Sequence, residues 1–195
     1  MKGIRIVNGQ AEIICERCIG CGNCTKVCSQ GAKAYLKLQD DVMDLLYSRE
    51  KVVALVAPSF AAEFPEIENH EVLVEMIREL GFDYVCEVAF GADVVALAFK
   101  KLVEQGNKNF ISSDCPAIVA YIEQYVPELV ENLAPVISPV MAMSRIVKEK
   151  YGKNIKTVFI GPCIAKKGES EEVDYTITFT EIRDLFAREK IVATN

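Results

Sequence analysis

From Lys51 onward the chain alternates short apolar runs with amphipathic stretches, and this alternation limits the possible folds more than any other feature. "KVVALVAP" is a continuous apolar run of the kind a strand takes when both its faces are covered. "EVLVEMIREL" then repeats its apolar residues at helical spacing, and "DYVCEVAF" returns to a strand pattern. "DVVALAFKKLVEQG" puts Val94, Val95, Ala98, Phe99 and Leu102 on one helical face and ends at Gly106, a natural helix stop. "NFISSD" and "KTVFIGP" read as further short strands. "SPVMAMSRIVKEKYG" between them has Ser138 as N-cap, Pro139 as first helical residue and Gly152 after the last turn. "DYTITFT" is the last predicted strand and "EIRDLFARE" the last helix. Strands alternating with helices predict an α/β fold built on a parallel sheet with flanking helices.

Ahead of this region, "GIRIVNG" and "QAEII" are short β-prone runs joined by Asn8-Gly9, a hairpin turn signal. Five of the eight cysteines follow in "CERCIGCGNCTKVC", residues 15–28. Cys18, Cys21, Cys24 and Cys28 make C-x2-C-x2-C-x3-C, the spacing by which bacterial ferredoxin loops wrap a [4Fe–4S] cluster. Ligands at every third residue let a loop curl around a cube, while Gly20 and Gly22 let backbone N–H groups turn toward the sulfides. The competing reading is structural zinc, which favours separated C-x2-C pairs or pairs with histidine; the one histidine, His70, lies far from the loop. Ser29 stands where proline usually follows the run, and in two-cluster ferredoxins the fourth cysteine ligates the other cluster. With no second run present, the fourth ligand is Cys28 or Cys15, and Cys15 alone reads as a buried small hydrophobe at a strand end. The expected domains are a ferredoxin-like [4Fe–4S] unit over residues 1–45 and an α/β domain over residues 50–195.

Composition narrows the setting. At 51% hydrophobic and 26% charged residues the chain can bury a core, and a formal charge of −6 without a Lys/Arg cluster argues against nucleic acid as a partner. "MKGIRIVNGQ" lacks the apolar segment of a signal peptide and the longest apolar run is too short to span a bilayer, so the expected location is cytoplasmic with no membrane partner. Thiols stay reduced there, and clustered cysteines read as metal or redox groups before disulfides. Pro58-Ser59, Cys115-Pro116 and Pro162-Cys163 each follow the carboxyl end of a predicted strand, where parallel sheets form their binding crevice. Cys115 and Cys163 are thereby expected to face each other across it, whereas Cys86, inside a predicted strand, reads as core.

Several of these stretches resemble the large subunit of iron-only ([FeFe]) hydrogenases. "SSDCP", residues 112–116, is similar to that family's T-S-C-C-P motif, and "YVPELVENLAPVISP" follows it much as the family's P-E-L…S-P stretch does. "PCIAKKGE", Pro162 to Glu169, matches P-C-x-x-K-x-x-E, "APS" at residues 57–59 looks like the family's strand end, and "GFDYVCEVAFGADV" is similar to its G-F-D…F-x-A-D segment. The resemblance implies that Cys115 and Cys163 are two of the four thiolates around the cubane of an H-cluster, in addition to the N-terminal [4Fe–4S] cluster. It also implies that Lys166 donates a hydrogen bond to one cyanide of the di-iron part, and that Pro58 and Ser59 contact the other.

Departures qualify the match. Asp114 stands where the catalytic enzymes usually carry a proton-shuttling cysteine, Gly161 where they often have methionine, and "VVALAFKK" follows Asp93 where their proton-path glutamates are expected. The third motif, with the remaining cubane cysteines, does not occur before Asn195. The pattern resembles the sensory branch of the family, represented by its N-terminal part. The implied function is a hydrogen/ferredoxin oxidoreductase type of iron–sulfur protein, sensory or of low activity, passing electrons through a [4Fe–4S] cluster to a redox partner protein. The isolated chain is expected to be inactive, and a missing C-terminal part or a second copy of the chain to cover its open face. The alternative is an electron-transfer or cluster-assembly module with no hydrogen chemistry.

Overall fold

The computed structural model describes residues 3–67, 69–106 and 109–193. Strands β1 (Ile4–Val7) and β2 (Gln10–Ile13) form an antiparallel hairpin, with Val7 opposite Gln10. Asn8 and Gly9 take φ of 51° and 78°, the left-handed pair that a two-residue type I′ turn requires. The cysteine loop follows and carries the short helix α1 (Asn23–Val27); α2 (Gln39–Leu46) leads into the second region.

That region is a four-stranded, wholly parallel sheet of β3 (Val52–Val56), β4 (Tyr84–Glu87), β5 (Lys156–Gly161) and β6 (Tyr175–Thr178), in the order β4-β3-β5-β6. Every residue of β3 is buried, as its unbroken apolar run demands of a central strand covered on both faces. The helices of this region are α3 (Phe60–Glu63), α4 (His70–Glu79), α5 (Val88–Glu104), α6 (Pro116–Tyr125), α7 (Pro139–Tyr151) and α8 (Phe179–Glu189). Ser138 caps α7 by accepting from the Met141 N–H, and Gly152 ends it at φ 111°. Among the described residues no helix is long and apolar enough to cross a membrane.

Four expectations need correction. The strand read in "DYVCEVAF" ends at Glu87, and its last residues, with the stretch up to Asp93, begin α5. The run from Val85 to Phe90 contains no Gly, Pro or side-chain cap to mark that change. On α5 the fully buried positions are Val88, Gly91 and Val95, whereas Val94 is 42% exposed. "NFISSD" forms no strand, so Cys115 follows no strand end; its β-pairing is the single bridge Ile111 to Leu133. "DYTITFT" stops as a strand at Thr178, whose hydroxyl caps α8 in a capping box with Glu181.

The strand order has a direct consequence for the site. The chain passes from β3 to β4 on one side and then returns to place β5 on the other side of β3. The reversal lies between β3 and β5, and a parallel sheet opens its crevice at the carboxyl ends flanking such a reversal. Pro58-Ser59 leaves one of those ends and Pro162-Cys163 the other. The ends approach so closely that a Cβ at Gly161 would stand 2.5 Å from the Phe159 ring and 3.1 Å from the Ala57 Cβ.

At the opposite edge Asp174 ties β5 to β6. Its carboxylate accepts from the Thr157 N–H (2.9 Å) and hydroxyl (3.1 Å) and pairs with Lys156 (3.2 Å). Burial pushes this carboxyl up, but the Thr157 N–H and the Lys156 and Lys148 ammonium groups outweigh it and hold the group below its ordinary value. A carboxylate depressed in the fold stabilises above its unfolded pKa of about 3.9 and loses that contribution as pH falls through the folded value. Asp174→Asn is therefore expected to destabilise by about 1.5–3 kcal/mol near neutrality, the usual worth of charged hydrogen bonds. In urea unfolding the gap from wild type should narrow as the pH is lowered below the ordinary carboxylate value; a gap of equal size at neutral and at acidic pH would contradict this assignment.

Candidate functional site

The cysteine loop begins with a 3-10 turn at Cys15–Arg17, and Gly20 and Gly22 take φ of 67° and 72°, bending the chain where an L side chain is strained. Cys18, Cys21 and Cys24 line one cavity of about 480 Å³, whose other walls include Ile4, Ile13, Ile19 and Val27. Cys28 is not part of that lining. The backbone N–H groups of Ala32 and Gln30 stabilise its thiolate and lower its pKa, with Lys33 assisting. Cys15 is exposed, against the expectation of a buried hydrophobe, because it opens the 3-10 turn instead of ending β2.

Among the described residues no three His, Cys, Asp or Glu side chains stand close enough to hold a metal ion. The donor set fits an iron–sulfur group in kind: three thiols on the wall of an otherwise largely apolar cavity, with backbone turned by two glycines.

The second set of residues gathers at the carboxyl edge of the sheet. Cys163 is the N-cap of a 3-10 turn, Ile164–Gly168, and Cys115 is the N-cap of α6; both are half-buried. Lys166 joins the two segments, since its Nζ donates to the Asp114 carbonyl oxygen (2.8 Å) and forms an ion pair with Glu169. Asp114 Oδ2 accepts from the Ser112 hydroxyl at 2.9 Å, while its Oδ1 is buried without a partner. The Ser113 hydroxyl lies 2.9 Å from the Ala134 carbonyl and 2.7 Å from that of Val136, and fastens this segment to the loop before α7. Pro58 and Ser59 are exposed at the end of β3. Cys86 is only half-buried; it lines an apolar groove with Phe90 and Met143, and burial pushes its thiol pKa up.

The loop and the crevice touch. A Cβ on Gly22 would lie 2.8 Å from the Ile164 Cδ1, so the loop rests on the residue that follows Cys163. Helix α6 links them again: Cys115 caps its N-terminus, and at its other end the Tyr125 hydroxyl donates to the Arg17 carbonyl at 2.8 Å. Its ten residues put roughly 15 Å between the two contacts. These contacts join residues far apart in the chain, which no spacing rule signals, whereas the Lys166–Glu169 pair has the i,i+3 spacing of a local ion pair.

A parallel sheet whose switch point is flanked by the Cys163 segment, with the cysteine loop docked against that segment, has a hydrogenase-like architecture. Residues 50–195 match the family described as "Iron only hydrogenase large subunit, C-terminal domain", and the chain belongs to that family. It is 29% identical to Iron hydrogenase 1 of Clostridium pasteurianum, covering 78% of this chain and 32% of that protein. Similarity extends to the Nuclear prelamin A recognition factor of Xenopus laevis, at 25% identity over 90% of this chain and 45% of that protein. The Cytosolic Fe-S cluster assembly factor NAR1 of Yarrowia lipolytica is 24% identical over 84% of this chain and 37% of its own length. The fold matches apo [FeFe]-hydrogenase HydA1 from Chlamydomonas reinhardtii with a TM-score of 0.67 at 23% identity, covering 81% of this chain and 49% of that one. The chain thus spans about half the length, or less, of the relatives it matches.

Proposed function

We propose that this chain is the electron-carrying and pocket-forming part of an iron-only hydrogenase of the sensory type. In this reading Cys18, Cys21, Cys24 and either Cys28 or Cys15 hold a [4Fe–4S] cluster. Cys115 and Cys163 are two thiolate ligands of a second cluster at the switch point, the cubane of an H-cluster. The observation that carries the reading is the packing of Gly22 on Ile164, which sets the loop directly against the Cys163 segment. When bound, such clusters supply one-electron redox chemistry at low potential.

The chain's own groups then have distinct tasks. Lys166, fixed by the Asp114 carbonyl and Glu169, presents a cation to the crevice, and Pro58 and Ser59 form its opposite lip. Asp114, anchored through Oδ2 to Ser112 and with its buried Oδ1 unpartnered, is the group in position to relay a proton. A redox partner protein delivers or receives the electron at the loop.

A second reading, a cluster-assembly or carrier module, is favoured by two features: Lys166 is engaged within the chain, and no thiol stands at position 114. Iron uptake separates the two readings. Anaerobic reconstitution that yields iron beyond about four per chain, with the excess lost in Cys115→Ala and Cys163→Ala, supports the hydrogenase reading; about four per chain in all three supports the carrier. In either case the isolated chain is expected to produce no hydrogen above a Cys115→Ala control, since each broken proton-transfer step typically removes on the order of 10²-fold in rate. Gas chromatography after loading with a synthetic di-iron complex checks this.

A further inference from the structure

Helix α8 begins with a fully buried carboxylate. Glu181 has 0% exposure and accepts from three different parts of the chain: the Leu38 N–H (2.8 Å), the Thr178 N–H and hydroxyl (both 2.8 Å) and the Lys167 ammonium (2.9 Å). Lys167 is itself nearly buried, donates a further hydrogen bond to the Thr176 carbonyl (2.9 Å), and lies 5.4 Å from the centre of the Tyr35 ring. The Tyr35 hydroxyl reaches the Thr178 hydroxyl at 3.1 Å. Tyr35 and Leu38 belong to the segment that leaves the cysteine loop, and Lys167 lies four residues beyond Cys163. Weaker exposed pairs, Lys37 with Asp184 and Asp40 with Arg188, fasten the same segment to the same helix.

We propose that Lys167 and Glu181 are a positioning pair that locks the segment leaving the cysteine loop to the segment following Cys163, so that the two thiol-bearing parts of the chain move as one body. The physical case rests on what a buried pair does well. Its net contribution to stability is small or negative against an apolar replacement, because desolvation offsets the attraction. Its directional demands are strict, since each charge must keep all its hydrogen bonds or be stranded in a dry site. Glu181 satisfies its needs only when residues 35–38 and 164–168 are both in place. Gly22 on Ile164 is a contact of shape alone, and the pair adds register to it.

This inference rests on the reading of the loop as a cluster site for one of its two tests and is independent of that reading for the other. The independent test is hydrogen exchange on the metal-free chain, comparing wild type with E181Q and K167M, and with G91A as a destabilised control that leaves the pair intact. The expected result is that amides at 35–38 and 164–168 exchange at least about tenfold faster in both variants, together, while β3 and β5 stay protected. Faster exchange in only one segment, or the same pattern in G91A, would overturn the proposal; if E181Q fails to fold, K167M decides. The dependent test uses chain reconstituted with iron and sulfide: the midpoint potential and electron paramagnetic resonance line shape of the loop cluster should change in K167M and return in K167R. An unchanged potential in K167M counts against positioning. A chain that takes up no iron counts against the cluster reading and leaves the exchange result to decide the pair's role.

Discussion

Alanine at Gly91 is expected to destabilise the chain by about 3 kcal/mol or more, the upper end of what overpacking a filled core costs. Gly91 is buried where α5 crosses α7, and a Cβ there would enter the space of the Pro139 carbonyl oxygen and stand 3.1 Å from the Met143 Cβ. The nearest obstruction is backbone, in the first turn of a helix capped by Ser138, so it cannot swing aside as a side chain would. The sign is informative because Gly→Ala in an open helix position gains about 1 kcal/mol. Urea unfolding should show a lower midpoint with an unchanged slope, and calorimetry a fall in Tm of roughly 6–12 °C for a domain of this size. An equal or higher midpoint would mean that α5 and α7 are not packed at Gly91.

Serine in place of Cys18, Cys21 or Cys24 is expected to abolish the loop cluster's share of the visible absorption of the iron-loaded chain, with Cys86→Ser leaving it intact. These three thiols share one cavity, whereas Cys86 sits in a groove between α5 and α7. The fourth position is decided by the same series. Cys28 has backbone N–H groups that favour its thiolate, as ligand sulfurs commonly do, and Cys15 has the exposed start of a 3-10 turn. Loss of the absorption in Cys28→Ser and its retention in Cys15→Ser is the expected outcome. The reverse pair would require the loop to refold around Cys15.

Local signals made much of the fold legible. β3 and β5 announce themselves as apolar runs, and α7 by Ser138, Pro139 and Gly152, because cap and stop residues act within one turn of where they stand. The start of α5 was not legible, since Glu87 offers no side-chain cap and apolar residues flank it on both sides. "NFISSD" is β-prone but has one bridging partner, and pairing, not propensity, decides a strand. The end of β6 did carry a signal, Thr178 followed three residues later by Glu181, which competes with a strand pattern through the same residues.

For the site, the spacing of the loop cysteines and the strand-end position of Cys163 were visible because they depend on sequence distance or on a strand end, whereas Cys115 follows no strand and stands at the start of α6. The Asp114 carbonyl as acceptor for Lys166, the seat of Gly22 on Ile164 and the burial of Glu181 were not, because each joins segments through the tertiary fold. Glu181 in particular reads as an ordinary charge on a short helix until the segments around Leu38 and Lys167 close over it.

The most direct test of the central claim, an iron–sulfur cluster in the cysteine loop, is the metal and sulfide content of the chain purified and reconstituted without oxygen, read together with its electron paramagnetic resonance after reduction. At least about four iron and about four acid-labile sulfide per chain, with a fast-relaxing signal on reduction that Cys21→Ser removes, is the predicted result. One zinc per chain held by the same thiols, with no sulfide and no signal, would contradict it.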